Sequence, residues 1–199
     1  MVIDALQCTG ATVLGVCDPS LSPGSAGPLG ISCLGSDDAL DHHDKARILL
    51  ANGIGSTGDP SRRIAVYQRL TAAGWRFVSL VHPAAIVGSG CTIESGAQIM
   101  AGAILQPGTR VGQNAIINTA ASVDHDCDIG DHAHIAPGAV LCGGVSIGAA
   151  THIGSGSVVV QGVVIGANAK IGAGTIVTTS MPVGAHVGAG LVVRKETAV

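Results

Sequence analysis

From Val87 onward an aliphatic residue recurs at every sixth position: Val87, Ile93, Ile99, Leu105, Val111, Ile117, Val123, Ile129, Ile135, Leu141, Ile147, Ile153, Val159, Ile165, Ile171 and Val177. The run contains no slip and no insertion. Four residues after each aliphatic the side chain is mostly small, as at Cys91, Ala97, Ala103, Ala115, Ala121, Cys127, Ala133 and Ala139. Three residues after, Gly or Asn is frequent (Gly90, Gly102, Asn114, Gly138, Asn168), and both tolerate the positive φ of a tight corner. The pattern predicts one short strand per hexad, its aliphatic side chain inward, with a corner between strands. An α-helix does not fit, because there is no 3.6-residue period and Gly recurs throughout.

Three hexads close a triangle, so 18 residues make one coil and the sixteen hexads make a little over five. Stacked coils pair strand on strand at about 4.8 Å, which satisfies the backbone and buries a continuous aliphatic core. At about 1.5–3 kcal/mol per buried aliphatic side chain, this ladder is the expected main source of stability. A parallel β-helix is therefore predicted over residues 83–199, with the boundary at His82-Pro83.

Residues 1–82 show a different rhythm. Met1 to Gln7 reads as a helix fragment, Thr12 to Cys17 as a buried strand, and Ile48 to Asn52 as another strand. Pro60 to Ala73 reads as an amphipathic helix with Ile64, Tyr67 and Leu70 on its apolar side, and Phe77 to Val81 as a last strand. Turn formers crowd Ser22 to Gly30. Strand–helix–strand alternation points to a small parallel α/β domain.

Composition narrows the function classes. Only Tyr67, Trp75 and Phe77 are aromatic and the net charge is −3, which removes both the stacking platforms and the electrostatic grip of nucleic-acid binders. The six cysteines form no CxxC pair and read as reduced, buried filler. The most apolar stretch, Val158 to Val177, is interrupted by Gly162, Asn168 and Lys170, so membrane insertion is not expected. With no signal peptide in view, a cytoplasmic location is the default.

The 18-residue period turns sequence into a map of columns. One holds His134, His152 and Lys170; another Pro107, His125, Gly143 and Gln161; a third Thr119, Pro137, Ser155 and Ala173. His125 lies between Asp124 and Asp126, and a carboxylate beside an imidazole favours its charged form and orients it, as a general base requires. An ordinary exposed corner residue is the competing reading, and His134 and His152 read as solvated edge groups. The spacings from His125 to His132, His134 and His152 contain no HxxxxH, so no metal site is expected.

The chain resembles the bacterial sugar-nucleotide N-acetyltransferases and the related NeuD-type sialic acid O-acetyltransferases. The most specific stretch is Asn118-Thr-Ala-Ala-Ser-Val-Asp-His-Asp-Cys-Asp-Ile-Gly-Asp-His-Ala-His-Ile-Ala-Pro-Gly-Ala-Val-Leu-Cys-Gly-Gly. The resemblance implies a left-handed parallel β-helix of hexapeptide repeats, preceded by a small α/β nucleotide-binding domain, and an acetyl-CoA-dependent homotrimer. It implies that His125 is the general base and that Asp126 raises its basicity. His134 and Gly143 would then contact acetyl-CoA near the thioester, with Ser155 and Ala173 along the pantetheine path. Asp18, Gly55 and Asn118 would line the sugar-nucleotide pocket. Three departures stand out. The family's opening strand and Gly-rich turn have no counterpart, so the α/β domain reads as N-terminally truncated. Pro19 replaces the second member of an acidic pair, and Gly188-Ala-Gly-Leu lacks a proline of the family's C-terminal run. The expected reaction is acetyl transfer to the amine of a UDP-4-amino-4,6-dideoxy sugar. A sugar O-acetyltransferase and a non-catalytic β-helical scaffold are the alternatives.

Overall fold

The computed structural model describes residues 1–56 and 59–194; residues 195–199 of the expected second domain lie outside them. The hexad ladder forms a parallel β-helix of three faces, and all sixteen aliphatic positions end two-residue strands. The first face runs through Gln98–Ile99, Ile116–Ile117, His134–Ile135, His152–Ile153 and Lys170–Ile171. The second includes Ile104–Leu105, Ser122–Val123, Val140–Leu141 and Val158–Val159, and the third Arg110–Val111, Asp128–Ile129 and Ser146–Ile147. Pairing follows the 18-residue register, for example His134 with His152 and Ser122 with Val140. From Ile99 to Val177 every ladder side chain is at most 2% exposed, and the alanines at 97, 103, 115, 121, 133 and 139 are fully buried. Only the start of the ladder is open, with Val87 at 40% exposure.

The corners follow the positive-φ rule, but not always with Gly or Asn. Ala120, Asp126, His132 and Ala150 also take left-handed φ between 54° and 62°. Toward the C-terminus the register shortens: Ile165 bridges Met181, Lys170 pairs with His186, and Ile176 with Val192, each 16 residues apart. Two residues are lost around Ser180, and the helix winds on to Val193.

The N-terminal unit is more irregular than its sequence pattern suggests. Helix α1 spans Val2–Cys8, but the expected strand from Thr12 shrinks to β1, Val16–Cys17, which among the described residues pairs only with β2, Cys33–Gly35. Leu14 is 59% exposed, so that segment is not buried. The expected strand from Ile48 to Asn52 is a single bridge between Leu50 and Phe77. Helix α2, Ser61–Ala72, buries Tyr67 and Leu70 as expected, but its third buried residue is Arg63 and not Ile64. The last expected strand divides: Phe77 serves the N-terminal unit, whereas β3, Leu80–Val81, already pairs with Gln98–Ile99 of the first face. The first coil strand thus begins three residues before the expected start at Pro83. All six cysteines are free: Cys33 and Cys127 are buried, Cys17 and Cys91 are half-buried against the two cores, Cys142 is half-buried, and Cys8 is exposed, so the expected burial fails outright at Cys8.

The N-terminal unit lies on the first face and on the corner where the third face returns to the first. Tyr67 packs against Phe77 with ring centroids 4.6 Å apart, edge-on to His132 at 5.6 Å, and its hydroxyl donates to the Ser95 carbonyl at 3.0 Å. Ile116, beside the inward ladder residue Ile117, is only 6% exposed beneath this unit.

Candidate active site

His125 sits at the corner between the second and third faces, held by the coils on either side. The Asp126 amide donates to the Pro107 carbonyl at 3.1 Å and the Gly144 amide to the His125 carbonyl at 2.9 Å, so the expected column is real. Asp124 Oδ1 accepts the His125 backbone N–H at 2.9 Å. Asp126 takes φ 57°, which swings its carboxylate back to His125 Nδ1 at 2.9 Å. Two glycines make room. A Cβ on Gly108 would lie 2.6 Å from Asp126 Oδ1, and one on Gly143 would lie 2.5 Å from His125 Nε2. Only glycine lets the pair adopt this geometry. The Asp126 hydrogen bond, followed by the Asp124 charge, holds the His125 pKa above its ordinary value. Asp128 takes no part in this; it pairs with Arg110 at 2.9 Å.

Ser155 and Ala173 are stacked as expected, with the Gly174 amide donating to the Ser155 carbonyl at 2.9 Å. They are exposed and occupy a different corner, between the first and second faces. His134 is elsewhere again. The expectation of a solvated edge residue is corrected: it lies on the first face, 6% exposed, with Nδ1 2.8 Å from Ser56 Oγ and Nε2 3.0 Å from Asn118 Nδ2. His152 packs edge-on against it at 4.9 Å. Burial, then the neighbouring His152 and Arg63, lower the His134 pKa to about 4. One chain therefore does not bring His134 beside Gly143.

A cavity of about 1440 Å³ opens between the N-terminal unit and the first face. Asp18, Gly55, Asn118 and His134 all line it, with Gln98 and Ile116 as part of its floor. Asp18 Oδ1 is taken by the Ser20 amide at 2.9 Å and the Ser20 hydroxyl at 2.7 Å. Sequence reasoning missed Arg63. Its guanidinium, 1% exposed, donates to the carbonyls of Asn52 at 3.0 Å, Ile54 at 2.7 Å and Asn114 at 3.2 Å. It clamps the segment carrying Gly55 and Ser56 to a β-helix corner, and burial lowers its pKa to about 10. The only sequence signal was a charge at a helix position adjoining the apolar stripe.

The family described as Bacterial transferase hexapeptide (six repeats) matches residues 108–143 and 144–179. PerB from Caulobacter crescentus, solved in complex with CoA and GDP-perosamine, is 33% identical over 94% of this chain and 87% of its own, with a TM-score of 0.85. A mutant of perosamine N-acetyltransferase from the same organism, also with CoA and GDP-perosamine, is 31% identical with the same coverage and TM-score. The chain belongs to the hexapeptide-repeat sugar N-acetyltransferases. The acetyltransferase domain of PglB from Neisseria gonorrhoeae FA1090, solved with acetyl coenzyme A, is 29% identical over 94% of this chain and 89% of its own, TM-score 0.86. As a member of this family the chain is an acyltransferase, and its β-helix is left-handed. Among the described residues, no helix is long and apolar enough to cross a membrane.

Proposed function

We propose that this acetyltransferase moves the acetyl group of acetyl-CoA directly onto the amine of a nucleotide-linked amino sugar, with His125 as general base. The observation that carries the reading is the His125–Asp126 pair: Nδ1 is fixed at 2.9 Å from the carboxylate, and Nε2 is turned over Gly143 on a half-exposed ring. As the amine nitrogen bonds to the thioester carbon, Nε2 takes its proton. The C–S bond then breaks and the thiolate of CoA leaves, to be protonated from the imidazolium. Among the described residues the Gly143 amide donates to no backbone carbonyl, which leaves it for the developing oxyanion. Ser155 and Ala173 would follow the pantetheine arm, and Asp18, Gly55 and Asn118 the sugar nucleotide. This chemistry calls for no metal, and it draws on the acetyl-CoA of the cytoplasm.

Geometry also supports a homotrimer. The corner that holds His125 is the vertex opposite the first face, so His125 cannot reach the cavity of its own chain. A neighbouring copy has to bring the two together. The second face carries the apolar outer surface for it: Ile86, Val140 and Ile176 are 63%, 37% and 41% exposed.

The acceptor we propose is a UDP-4-amino-4,6-dideoxy sugar. A GDP-linked amino sugar is the second reading, favoured by the GDP-perosamine bound to PerB. The test is release of CoA thiol from acetyl-CoA with a panel of UDP- and GDP-linked amino sugars and their hydroxyl analogues, products identified by mass. Acetylation of an amine supports the reading; acetylation of hydroxyls alone, or of nothing, overturns it. Light scattering at micromolar concentration decides the assembly, and a monomer contradicts the shared site.

A further inference from the structure

Three hydrogen bonds run from a β-helix corner to the loop above it, and elementary chemistry sets their directions. The Thr119 backbone N–H donates to Asn118 Oδ1 at 2.8 Å. A backbone N–H can only donate, so the amide is oriented with Oδ1 toward Thr119 and Nδ2 away from it. Nδ2 stands 3.0 Å from His134 Nε2 and also only donates, so Nε2 carries no proton. The neutral ring then holds its hydrogen on Nδ1 and donates it to Ser56 Oγ at 2.8 Å. Ser56, Asn118 and His134 are 3%, 7% and 6% exposed, so bulk water hardly competes for these bonds. The charged ring would set an Nε2–H against the Asn118 N–H. Consistent with this, burial and the nearby His152 and Arg63 keep the ring neutral. One Asn118 hydrogen is left over, without a protein acceptor among the described residues, and Asn118 lines the cavity.

We infer that His134 is a positioning residue of the acceptor pocket: as the Nδ1–H tautomer it ties Ser56 to Asn118 and holds the spare Asn118 N–H as a donor for an acceptor oxygen of the sugar nucleotide. The inference rests on the cavity being the sugar-nucleotide site, and it moves His134 from the thioester, where resemblance placed it, to the acceptor side. His134 also couples that pocket to the N-terminal unit, because Ser56 belongs to the segment that Arg63 clamps.

Imidazole ¹⁵N NMR on the intact wild-type protein tests the arrangement directly. The expected result is a protonated Nδ1 and a bare Nε2, unchanged from pH 8 to pH 5; an Nε2–H tautomer or a charged ring overturns it. Kinetics test the role. His134→Ala should raise KM for the sugar nucleotide about tenfold and leave KM for acetyl-CoA within about twofold. His134→Gln, whose amide can accept from Asn118 and donate to Ser56, should recover most of the loss. Asn118→Asp, whose carboxylate cannot donate, should not bind as wild type does. Should His134→Ala fail to fold, His134→Gln and the wild-type tautomer decide. A rise confined to the acetyl-CoA KM, or a His134→Gln enzyme as poor as a folded His134→Ala, overturns the inference. Absence of any sugar-nucleotide substrate for the wild type would defeat the parent reading of the cavity, and the tautomer would still be decided by NMR.

Discussion

Replacing Gly143 with alanine places one methyl group where the His125 ring lies. A Cβ there would stand 2.5 Å from Nε2, 2.6 Å from Cε1 and 3.1 Å from Cδ2. Carbon contacts settle near about 3.5 Å, so something must give by about 1 Å. The backbone is tied on both sides, by Gly144 N–H to the His125 carbonyl at 2.9 Å and Gly162 N–H to the Gly143 carbonyl at 3.0 Å. The half-exposed ring is therefore the part that moves. A displacement of about 1 Å in a reacting group can cost about 10²-fold, so kcat should fall by about that factor. Gly143 is not among the positive-φ residues, and alanine there adds no backbone strain. Thermal stability and acetyl-CoA affinity should stay near wild type. Gly184→Ala is the reverse case, with φ 72° and open space around the new methyl, and should lose stability without losing rate. Continuous thiol detection at saturating substrates, beside calorimetry, measures both. A Gly143→Ala enzyme with kcat within threefold of wild type would refute the placement of the ring over this glycine during catalysis.

Because the Asp126 hydrogen bond and the Asp124 charge raise the His125 pKa, kcat/KM should climb to a plateau as pH passes that raised value; Asp126→Asn should shift the limb to lower pH and lower the plateau, and an unmoved limb would contradict the pairing. Arg63→Met strips the Asn52, Ile54 and Asn114 carbonyls of a donor and should cost about 2–4 kcal/mol in urea unfolding, with a loss below about 1 kcal/mol counting against the clamp. Burial depresses His134 from 6.5 to about 4 and also lowers His132 and His152, so the fold favours neutral rings. Stability present above about pH 6.5 should be lost as pH falls toward 4, by roughly 3 kcal/mol from His134 alone, and equal denaturation midpoints at pH 7 and pH 4.5 would contradict this.

The β-helix was legible because each hexad repeats one physical demand, an inward aliphatic with a small neighbour, and sixteen repetitions leave no rival period. The columns followed from it: His125 over Pro107 and under Gly143 is a consequence of 18-residue spacing alone. What the pattern could not show was which outer face is covered. His134 read as surface because its burial comes from a separate unit folded across the first face. The same coverage hides Arg63, whose partners are backbone carbonyls that leave no trace in residue type. In the N-terminal unit the apolar runs at Thr12 to Cys17 and Ile48 to Asn52 looked like strands, yet pairing reaches only Val16–Cys17 and Leu50. Apolar content does not supply hydrogen-bond partners. The hexad spacing put Asp126 on a corner but did not show the consequence, that its left-handed φ aims the carboxylate at the imidazole.

The central claim is that His125 carries the proton during acetyl transfer, and His125→Ala tests it most directly. Single-turnover and steady-state rates should be measured with acetyl-CoA and the preferred amino-sugar nucleotide, with acetyl-CoA affinity determined separately by calorimetry. The account predicts a kcat about 10²–10⁴-fold below wild type with acetyl-CoA binding nearly intact. A His125→Ala enzyme that acetylates the same amine at close to the wild-type rate would contradict it.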